Sequence, residues 1–425
     1  MQRDFGLSVG PATAIVVGGG VVGLATALSL QLDGVATTLI DMPGDSPAAS
    51  WGNAGHIAIE QVEPLASRAT IRSMPGRLFW RGGAVSLSPR DLSAWAPFAM
   101  RLLAAARPAR FAAGCAALAD ALDDAMGAWG RLLDRIGARE LLLENGHFIV
   151  WETARSARAG RARWAAANTG NATIRDATPG ELGELAKLTR VPIAGGVRFS
   201  GSGQISDLDE LARALIGGFE RAGGARIEAR IDRIAIDAGR AAAVEAGGAR
   251  HQASAIVVTA GAASGALLEP IGHKVRLVAE RGYHIQSHDT AWPMGTPPVV
   301  FEDRSMIVTR FRSGLRAASF VEFGRLGRAA DPRKWARLRK HVAELGLSFD
   351  LPGREWMGAR PTLPDYLPAI GRSRRAGNLF YAFGHQHLGL TLAATTAEAV
   401  RALVAGETTP FDIRPFDIDR FGVRA

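Results

Sequence analysis

The sequence predicts an α/β fold in which βα segments early and late in the chain enclose regions of a different pattern. A glycine-rich strand–turn–helix–strand unit occupies residues 14–41, and segments of similar character return at 255–264 and 378–406. Between them lie a helical stretch at 92–138 and a β-rich stretch at 276–326. With 425 residues and 47% hydrophobic content, the chain can bury the cores of two or three domains.

The first unit has the pattern of a βαβ element. Residues 14–18 (AIVVG) predict a fully buried strand, and residues 37–41 (TTLID) predict a second one. Residues 21–33 predict the helix between them, because Leu24 and Leu28 fall on one face. Parallel strands joined by a helix are the building unit of a doubly wound sheet.

The turn between the first strand and the helix has the spacing GxGxxG, at Gly18, Gly20 and Gly23. These glycines allow a tight turn, a close approach of a pyrophosphate to the backbone, and close packing of helix and strand. Val21 and Val22 open the helix, whose N–H groups and dipole favour phosphate. We interpret the turn as a dinucleotide site, with a ligand-free tight turn as the alternative.

Asp41 supports this interpretation. It ends the second predicted strand about 20 residues after the turn, where a carboxylate can accept hydrogen bonds from adenosine ribose hydroxyls. An acidic residue in place of arginine disfavours a 2′-phosphate, and therefore NADP.

The later elements follow from periodicity and from glycine and proline positions. The sequence predicts a strand at 146–153, a loop at 195–207, a helix at 208–222, strands around 226–236, 255–259, 281–286 and 306–311, a helix at 331–345, and a strand, turn and helix at 378–406.

The net charge of +9 comes almost wholly from arginine, since the chain has lysine at four positions only. Dispersed arginine beside abundant alanine is typical of a GC-rich coding sequence. We therefore do not expect a nucleic-acid partner, although an anionic partner stays an alternative.

Cys115 is the only cysteine, which excludes an intrachain disulfide and a cysteine-ligated iron–sulfur cluster. The first apolar run leads directly into the glycine turn and lacks the pattern of a signal peptide. The sequence has no uninterrupted run of eighteen or more apolar residues, so it does not predict a membrane span. We expect a cytoplasmic protein.

Four separated segments together resemble one known family. They are the glycine turn with its strand, "ASWGNAGHI" (49–57), "AIVVTAGAAS" (255–264), and the tail from "GARPTLPDYLPAIGR" (358–372) to "GHQHLGLTLA" (384–393). They resemble the FAD-dependent D-amino-acid dehydrogenase and oxidase family, whose fold is shared with glycine and sarcosine oxidases. The tail is also similar to the D-hydroxyproline dehydrogenase branch.

The resemblance implies a Rossmann-like FAD-binding domain interleaved with a substrate domain built on a mixed or antiparallel sheet with helices. The expected limits are 12–70, 197–275 and 354–425 for the FAD-binding domain, and 71–196 and 276–353 for the substrate domain.

The same resemblance implies cofactor contacts in three further segments. In relatives the loop at 49–57 runs beside the isoalloxazine, and a helix starting near residue 389 points its positive end at the flavin pyrimidine edge. His56 does not match the covalent linkage position of some relatives, so we expect dissociable FAD. The implied contacts, each with a turn or packing role as the alternative, are Ser50, Asn53, Gly55, His56, Ile231, Gly261, His385, Gly389, Leu390 and Thr391.

The substrate site is inferred from three residues. Arg360 matches the arginine of the family's "RP…PD" segment, and a guanidinium can hold a carboxylate through two parallel hydrogen bonds. Tyr283 matches a substrate-facing aromatic hydroxyl, with a core tyrosine as the alternative. His387 is a candidate for flavin or substrate contact, with a capping role as the alternative. No general base is evident, and two histidines without a third ligand predict no metal site.

The expected reaction is oxidation of a D-amino acid to its imine, by hydride transfer from Cα to flavin N5. D-Proline or cis-4-hydroxy-D-proline is the favoured substrate, and a quinone or other respiratory acceptor is the expected electron partner. A glycine or sarcosine oxidase that uses oxygen is one alternative, and an RNA-modifying flavoprotein is another. Tryptophan, phenylalanine and arginine in residues 78–111 suggest peripheral contact with the inner membrane, with a wall of the substrate domain as the alternative.

Overall fold

The computed structural model describes residues 12–42, 48–288 and 290–422. The strands found there are β1 (Thr13–Val17), β2 (Ala36–Asp41), β3 (His56–Ile57), β4 (Val85–Leu87), β5 (Leu142–Leu143), β6 (His147–Trp151), β7 (Thr173–Asp176), β8 (Gly195–Ser200), β9 (Gly203–Ile205), β10 (Ala225–Glu228), β11 (Ile231–Asp237), β12 (Arg240–Ala246), β13 (Ala249–His251), β14 (Ala255–Val258), β15 (Val278–Ser287), β16 (Val299–Phe301), β17 (Met306–Phe311), β18 (Gly314–Gly324), β19 (Arg354–Thr362), β20 (Ala369–Arg372) and β21 (Leu379–Phe383).

The described part of the chain also contains α-helices. They are α1 (Val21–Leu32), α2 (Arg68–Arg77), α3 (Leu92–Ala105), α4 (Pro108–Leu122), α5 (Ala125–Asp134), α6 (Ala154–Ala165), α7 (Pro179–Ala186), α8 (Leu208–Arg221), α9 (Ser264–Leu268), α10 (Pro332–Leu345) and α11 (Gly389–Ala405).

A six-stranded sheet forms the centre of the nucleotide-binding part, in the order β10-β2-β1-β14-β21-β20. Its strands are parallel except for β20, which pairs antiparallel with β21. Alternate residues of β1 face opposite layers: Ala14 and Val16 pack with the helices, whereas Ile15 and Val17 pack with the sheet β11-β12-β13. Helices α1, α8 and α11 form the helical layer. The predicted βαβ unit is present within one residue at each limit.

A second part of the chain, expected to be the substrate domain, is built on a nine-stranded mixed sheet. Strands β19-β15-β18-β17-β16-β6-β8-β7 form a continuous order, and β4 pairs with β18. The sheet passes two of the expected domain limits. Strand β8 continues to Ser200, past the limit at residue 196, and β19 continues to Thr362, past the limit at residue 353. The last expected segment also includes residues 423–425, which lie outside the described residues.

Residues 195–207 form two strands, β8 and β9, and not the loop that their glycines and serines predicted. Val197 and Phe199 are buried, whereas Arg198 between them is not, so the segment has the alternation of a strand. Gly196 allows close packing, because a Cβ there would lie 3.0 Å from the carbonyl oxygen of Ile149.

The helical stretch predicted at 92–138 consists of three helices, α3, α4 and α5. Proline at residue 108 starts α4, which bends away from α3. Among the described helices, Gln386–Ala405 is long and apolar enough to span a membrane by length and composition. In this structure it is a core helix, because α11 packs between α1 and α5 and most of its residues are buried.

Candidate active site

The glycine turn has the backbone geometry of a nucleotide site. Gly18 has a φ of +107°, and its N–H donates to the carbonyl of Ile40 at 2.8 Å. A Cβ at Gly18 would lie 2.8 Å from Cα of Ala260, and a Cβ at Gly23 would lie 1.8 Å from the carbonyl oxygen of Gly18. The chain can therefore bring β1, β14 and α1 this close only with glycine at these positions.

The N-terminus of α1 meets the loop at 49–57. Gly20 precedes the helix without a side-chain cap, and the N–H of Val21 donates to Oγ of Ser50 at 3.1 Å. Val22 follows in the first turn, where helical N–H groups lack intrahelical acceptors. The predicted residues Gly20, Val21 and Ser50 thus lie together, with polar groups suited to a phosphate.

Asp41 lies where an acid for a ribose is expected, at the end of β2 and beside the glycine turn. A Cβ on Gly19 would lie 2.3 Å from its Oδ2. The backbone carbonyl of Asp41 accepts from the N–H of Ala229 at 2.9 Å. Ile231, two residues later, begins β11 and is partly buried near this strand end.

Gly261 leaves open space at the end of β14. It has a φ of +53° and begins a short 3₁₀ turn, Gly261–Ala263. A Cβ there would meet no described atom within 4 Å. The neighbouring parallel strand β1 leads to Gly18, so both glycines open the carboxyl edge of the same sheet.

The loop at 49–57 is shaped by its own residues. Oδ1 of Asn53 accepts from the N–H of Gly55 at 2.8 Å, which makes a tight Asx turn. Gly55 has a φ of +75°, and a Cβ there would lie 2.4 Å from the ring of Phe311. The loop therefore packs directly against the nine-stranded sheet.

Side chains of that sheet also hold the loop carbonyls. Arg316 donates to the carbonyls of Trp51, at 3.2 Å, and of Asn53. Thr309 donates to the carbonyl of Ala54 at 2.7 Å. These bonds fix the loop in position beside the nine-stranded sheet.

The loop's last predicted contact, His56, faces the protein interior. Its Nε2 lies 3.8 Å from a carboxylate oxygen of Glu60, and its ring centroid lies 4.3 Å from that of His147. Among the described residues, these three form a group of metal-ligand composition, although the sequence predicted none. Cys115 lies on α4. Neither His56 nor Cys115 is placed in a way that suggests a covalent flavin link.

The helix α11 begins at Gly389 without a side-chain cap, so its first N–H groups remain available. Nε1 of Trp129 donates to the carbonyl of Leu390 at 2.8 Å. The N–H of Ala58 donates to Oγ1 of Thr391 at 3.0 Å. The first turn is thus fixed by α5 and by the segment after β3, and the positive end of the helix would favour a negatively charged group.

His385 anchors the turn before α11. Its Nε2 lies 3.0 Å from Oγ1 of Thr396, and burial lowers the pKa of the imidazole to about 3. An isolated antiparallel bridge joins residue 385 to Thr362. The turn is therefore fixed to the end of β19, the strand that carries Arg360.

Arg360 faces a buried carboxylate and retains free donors. Its Nη1 donates to Oε1 of Glu280 and to the carbonyl of Phe320, both at 3.3 Å. The other guanidinium nitrogens make no hydrogen bond to a described residue, and the side chain is 28% exposed. A Cβ at Gly282 would lie 2.3 Å from Nη2, so this glycine makes room for the guanidinium.

Glu280 is held by three donors. Its second oxygen accepts from Oγ1 of Thr362 and from the hydroxyl of Tyr366, each at 3.1 Å. Burial and the neighbouring carboxylate raise the pKa of Tyr366 well above its ordinary value, so the phenol stays a donor. The pair of Glu280 and Arg360 is therefore a fixed element and not a mobile surface contact.

His387 lies in the turn before α11, close enough to Arg360 for their charges to interact. Burial, and then the charge of Arg360, lower the pKa of His387 to about 3. Its Nδ1 is buried without a hydrogen-bond partner among the described residues. The imidazole is therefore neutral near pH 7 and presents an unused nitrogen.

Tyr283 lies on the opposite face of β15 from Glu280. Its hydroxyl donates to Glu322 and accepts from the N–H of Asp331 at 3.1 Å. Its ring packs against Trp335 of α10. Successive side chains of a strand point to opposite faces, so the structure does not bring Tyr283 to Arg360.

Sequence analysis missed several residues of this region. Glu280 and Gly282 lie in "ERGYH", directly opposite Arg360 and Gly358 in the pairing of β15 with β19. The indole of Trp356 stacks on His284, with ring centroids 5.0 Å apart. Only the register between two strands about eighty residues apart brings these groups together, and no local pattern indicates it.

The residues present fit FAD. The glycine turn and the capless start of α1 suit a pyrophosphate, and Asp41 suits a ribose. Open space at Gly261 and the free N–H groups of α11 suit the remaining parts of a flavin dinucleotide. Strand β19 contacts three 3₁₀ turns beside the cradle, which are Ala49–Gly52, Gly261–Ala263 and Gln386–Leu388. The nine-stranded sheet therefore borders this cradle.

Known proteins resemble this chain over most of its length. A family model described as FAD dependent oxidoreductase (DAO) matches residues 13–403. The D-amino-acid oxidase of Bradyrhizobium diazoefficiens is 29% identical over 415 residues, which cover 96% of this chain and 98% of the relative. The D-amino acid dehydrogenase of Cereibacter sphaeroides is 27% identical over 433 residues, with 96% and 95% covered.

Solved structures share the fold. Glycine oxidase from Geobacillus kaustophilus matches with a TM-score of 0.72 and 21% identity, over 96% of this chain and 98% of that one. L-Proline dehydrogenase from P. horikoshii matches with a TM-score of 0.72 and 14% identity, over 97% and 98%. The predictions of the fold class, of an enzyme and of FAD as cofactor are thereby confirmed. The chain belongs to the FAD dependent oxidoreductase family.

Proposed function

We propose that this protein oxidises D-amino acids with FAD as the electron acceptor. The observation that carries the proposal is Arg360, whose guanidinium is held by Glu280 on one side and keeps unused donors on the other. The two relatives described above are named D-amino-acid oxidase and D-amino acid dehydrogenase, which supports the D configuration.

In this proposal Arg360 holds the substrate carboxylate through charge-assisted hydrogen bonds. Glu280 fixes the direction of the guanidinium, and Gly282 leaves it the space to lie flat against β15. The substrate is then held at one end, which fixes the position of its Cα.

His387 receives the other end of the amino-acid group. Its buried, unpartnered Nδ1 can accept a hydrogen bond from the substrate nitrogen. A positive charge on His387 is disfavoured beside Arg360, so the turn does not repel a substrate ammonium. An imidazole with so low a pKa is a weak base, and we assign it positioning rather than proton abstraction.

FAD, when bound, supplies the chemistry of a two-electron acceptor for the Cα–H bond. As the substrate nitrogen also loses a proton, the amino acid becomes an imine. Water converts an acyclic imine to a 2-oxo acid and ammonia, whereas a cyclic substrate leaves as a pyrroline carboxylate. We propose D-proline or cis-4-hydroxy-D-proline as the substrate, in line with the resemblance of the tail.

We further propose a respiratory acceptor at an anionic membrane surface, rather than oxygen. The segment around α2 and α3 exposes large apolar side chains, including Trp80 at 73% and Met100 at 68%. Exposed arginines lie in the same stretch of the chain, and such a mixture suits the headgroup region of anionic lipid. These arginines are Arg72, Arg77, Arg81, Arg90 and Arg107.

Anaerobic mixing with a panel of D- and L-amino acids, glycine and sarcosine tests the activity. We expect bleaching of the bound flavin by D-amino acids, fastest with D-proline and its hydroxylated form. Bleaching by glycine or sarcosine alone would instead establish the oxidase alternative. Bleaching by L-amino acids alone would contradict the proposed handedness.

Sedimentation with vesicles tests the membrane contact. We expect binding to anionic vesicles and little binding to neutral ones, with loss of binding in the double variant Trp80→Ser and Met100→Ser. Met294→Ser is the matched control, because Met294 is also exposed but lies in another part of the chain. Equal binding by both variants would contradict the proposed surface.

A further inference from the structure

A buried group of three ligand-type side chains lies beside the cofactor cradle, and the proposed reaction does not use it. It consists of His56 on β3, Glu60 shortly after β3, and His147 at the start of β6. Nε2 of His56 lies 3.8 Å from one oxygen of Glu60, and Nε2 of His147 lies 4.0 Å from the other. One ligand atom from each residue lies within 4.8 Å of the others.

The orientation of His147 leaves the correct nitrogen free. Its Nδ1 lies 3.0 Å from Oγ of Ser202, and its ring stacks on Phe199 with centroids 4.4 Å apart. These contacts fix the imidazole and direct Nε2 toward Glu60. Metal-binding histidines commonly bond an oxygen through their second nitrogen, which sets tautomer and ring orientation.

Several polar atoms at this point are buried without a partner among the described residues. They include Nε2 of His56 and one carboxylate oxygen of Glu60. Both amide atoms of Gln204, the cross-strand neighbour of His56, are also unpartnered. Buried polar groups without hydrogen bonds are costly, so this concentration of them in one place indicates a missing ligand.

The composition of the group suits a metal cation. Two neutral imidazoles and one carboxylate are the donors that divalent transition metals such as Zn²⁺ prefer.

We infer that His56, Glu60 and His147 bind a divalent transition-metal ion, with the amide oxygen of Gln204 at the fourth position. The ligand atoms of a tetrahedral zinc site lie about 3.3 Å apart, since each bond is about 2.0 Å long. The separations of 3.8 and 4.0 Å, which end on different oxygens of Glu60, would each have to shorten by about 0.5 to 0.7 Å, and the group as a whole, which spans up to 4.8 Å, would have to contract. Binding involves no oxidation or reduction.

The role we assign to this ion is structural. It joins β3 of the cofactor side to β6 of the substrate sheet and to β9. The N–H of Ala58, between two of the ligands, donates to Thr391 in the first turn of α11. The ion therefore stabilises the segment that supports the flavin-facing helix, and two of its ligands, Glu60 and His147, are buried.

Metal analysis of the untagged holoenzyme tests the inference. After exposure to Zn²⁺ or Co²⁺ and gel filtration, we expect about one ion per chain and, for Co²⁺, the visible absorption of a tetrahedral site. We expect the metal content of the His147→Gln and Glu60→Gln variants to fall at least tenfold. Both variants should retain flavin, which shows that they fold. His251→Gln on β13 is the matched control and should retain the ion.

The outcomes are distinct from those of the proposed reaction, because metal content is measured without substrate. Substoichiometric metal in the wild-type protein after loading would overturn the inference, since it does not depend on a variant. Retention of the ion by both ligand variants would overturn it equally. If the variants lose flavin as well, the Co²⁺ spectrum of the wild-type protein decides alone, and absence of tetrahedral bands then rejects the site.

Discussion

The cofactor cradle and the substrate face are built in different ways. The cradle consists mainly of backbone groups: the turn at Gly18, the capless starts of α1 and α11, and the open space at Gly261. The proposed substrate face consists of side chains, above all Arg360 and Glu280 on neighbouring strands. A backbone site is defined by a short local sequence, whereas a side-chain site depends on the register between distant strands.

Three matched glycine-to-alanine variants separate these two regions, since each adds the same methyl group. Gly18→Ala is expected to have the largest effect: loss of FAD and of all activity. The backbone there has a φ of +107°, and the new Cβ would lie 2.8 Å from Cα of Ala260 and from the carbonyl oxygen of Thr259. Flavin absorbance of the purified protein is the measurement. Full retention of FAD would contradict the role of this turn.

Arg360→Lys is expected to retain FAD and to raise KM about thirtyfold, because loss of a charged, paired hydrogen bond costs about 2 kcal/mol. Lysine keeps the charge but cannot form two parallel bonds to a carboxylate. Steady-state kinetics with the best D-amino acid measure this change. Unchanged KM would remove Arg360 from the substrate site.

Gly282→Ala is expected to retain FAD and to lower kcat/KM roughly tenfold, because small displacements of a positioning group are costly in catalysis. The added methyl group would lie 2.3 Å from Nη2 of Arg360 and would displace the guanidinium. Gly183→Ala in α7 is the control, since nothing lies within 4 Å of its new Cβ. Equal kinetics of the two variants would show that Arg360 does not need this space.

The smallest effect on activity is expected for His385→Gln, which tests the support of α11. The folded-state pKa of His385 is lowered to about 3, so the unfolded chain binds its proton more readily and stability falls as pH drops below 6.5. This residue therefore accounts for a loss of about 2 kcal/mol between pH 7 and pH 5. Denaturant unfolding of wild type and variant at both pH values measures it. An identical pH dependence would contradict a neutral, buried His385.

The sequence analysis was informative where chemistry is local. The strand, turn, helix and acid from residue 14 to Asp41 lie as predicted, because their hydrophobic periodicity and glycine spacing are continuous. Arg360 was identified through its motif, but its partner Glu280 was not, because pairing of β15 with β19 is a tertiary property. The same strand alternation places Tyr283 on the far face.

The buried group of His56, Glu60 and His147 was missed for a similar reason. The first two residues are close in sequence, but the third is the first residue of β6, a strand of a different sheet. The loop predicted at 195–207 contains β9, whose pairing with β3 brings Gln204 to this point. The glycine and serine content of this segment favoured a loop, but its pairing with β5 and β6 makes it two strands.

The central claim is that the backbone cradle holds FAD and that Arg360 faces it. Titration of the oxidised holoenzyme with a carboxylate that cannot be oxidised, followed by the flavin absorption spectrum, tests both parts together. We expect a saturable spectral change in the wild-type protein, weakened at least tenfold in Arg360→Lys and unaltered in Gly183→Ala. A spectral change of equal affinity in Arg360→Lys, or a protein that takes up no FAD, would contradict the account.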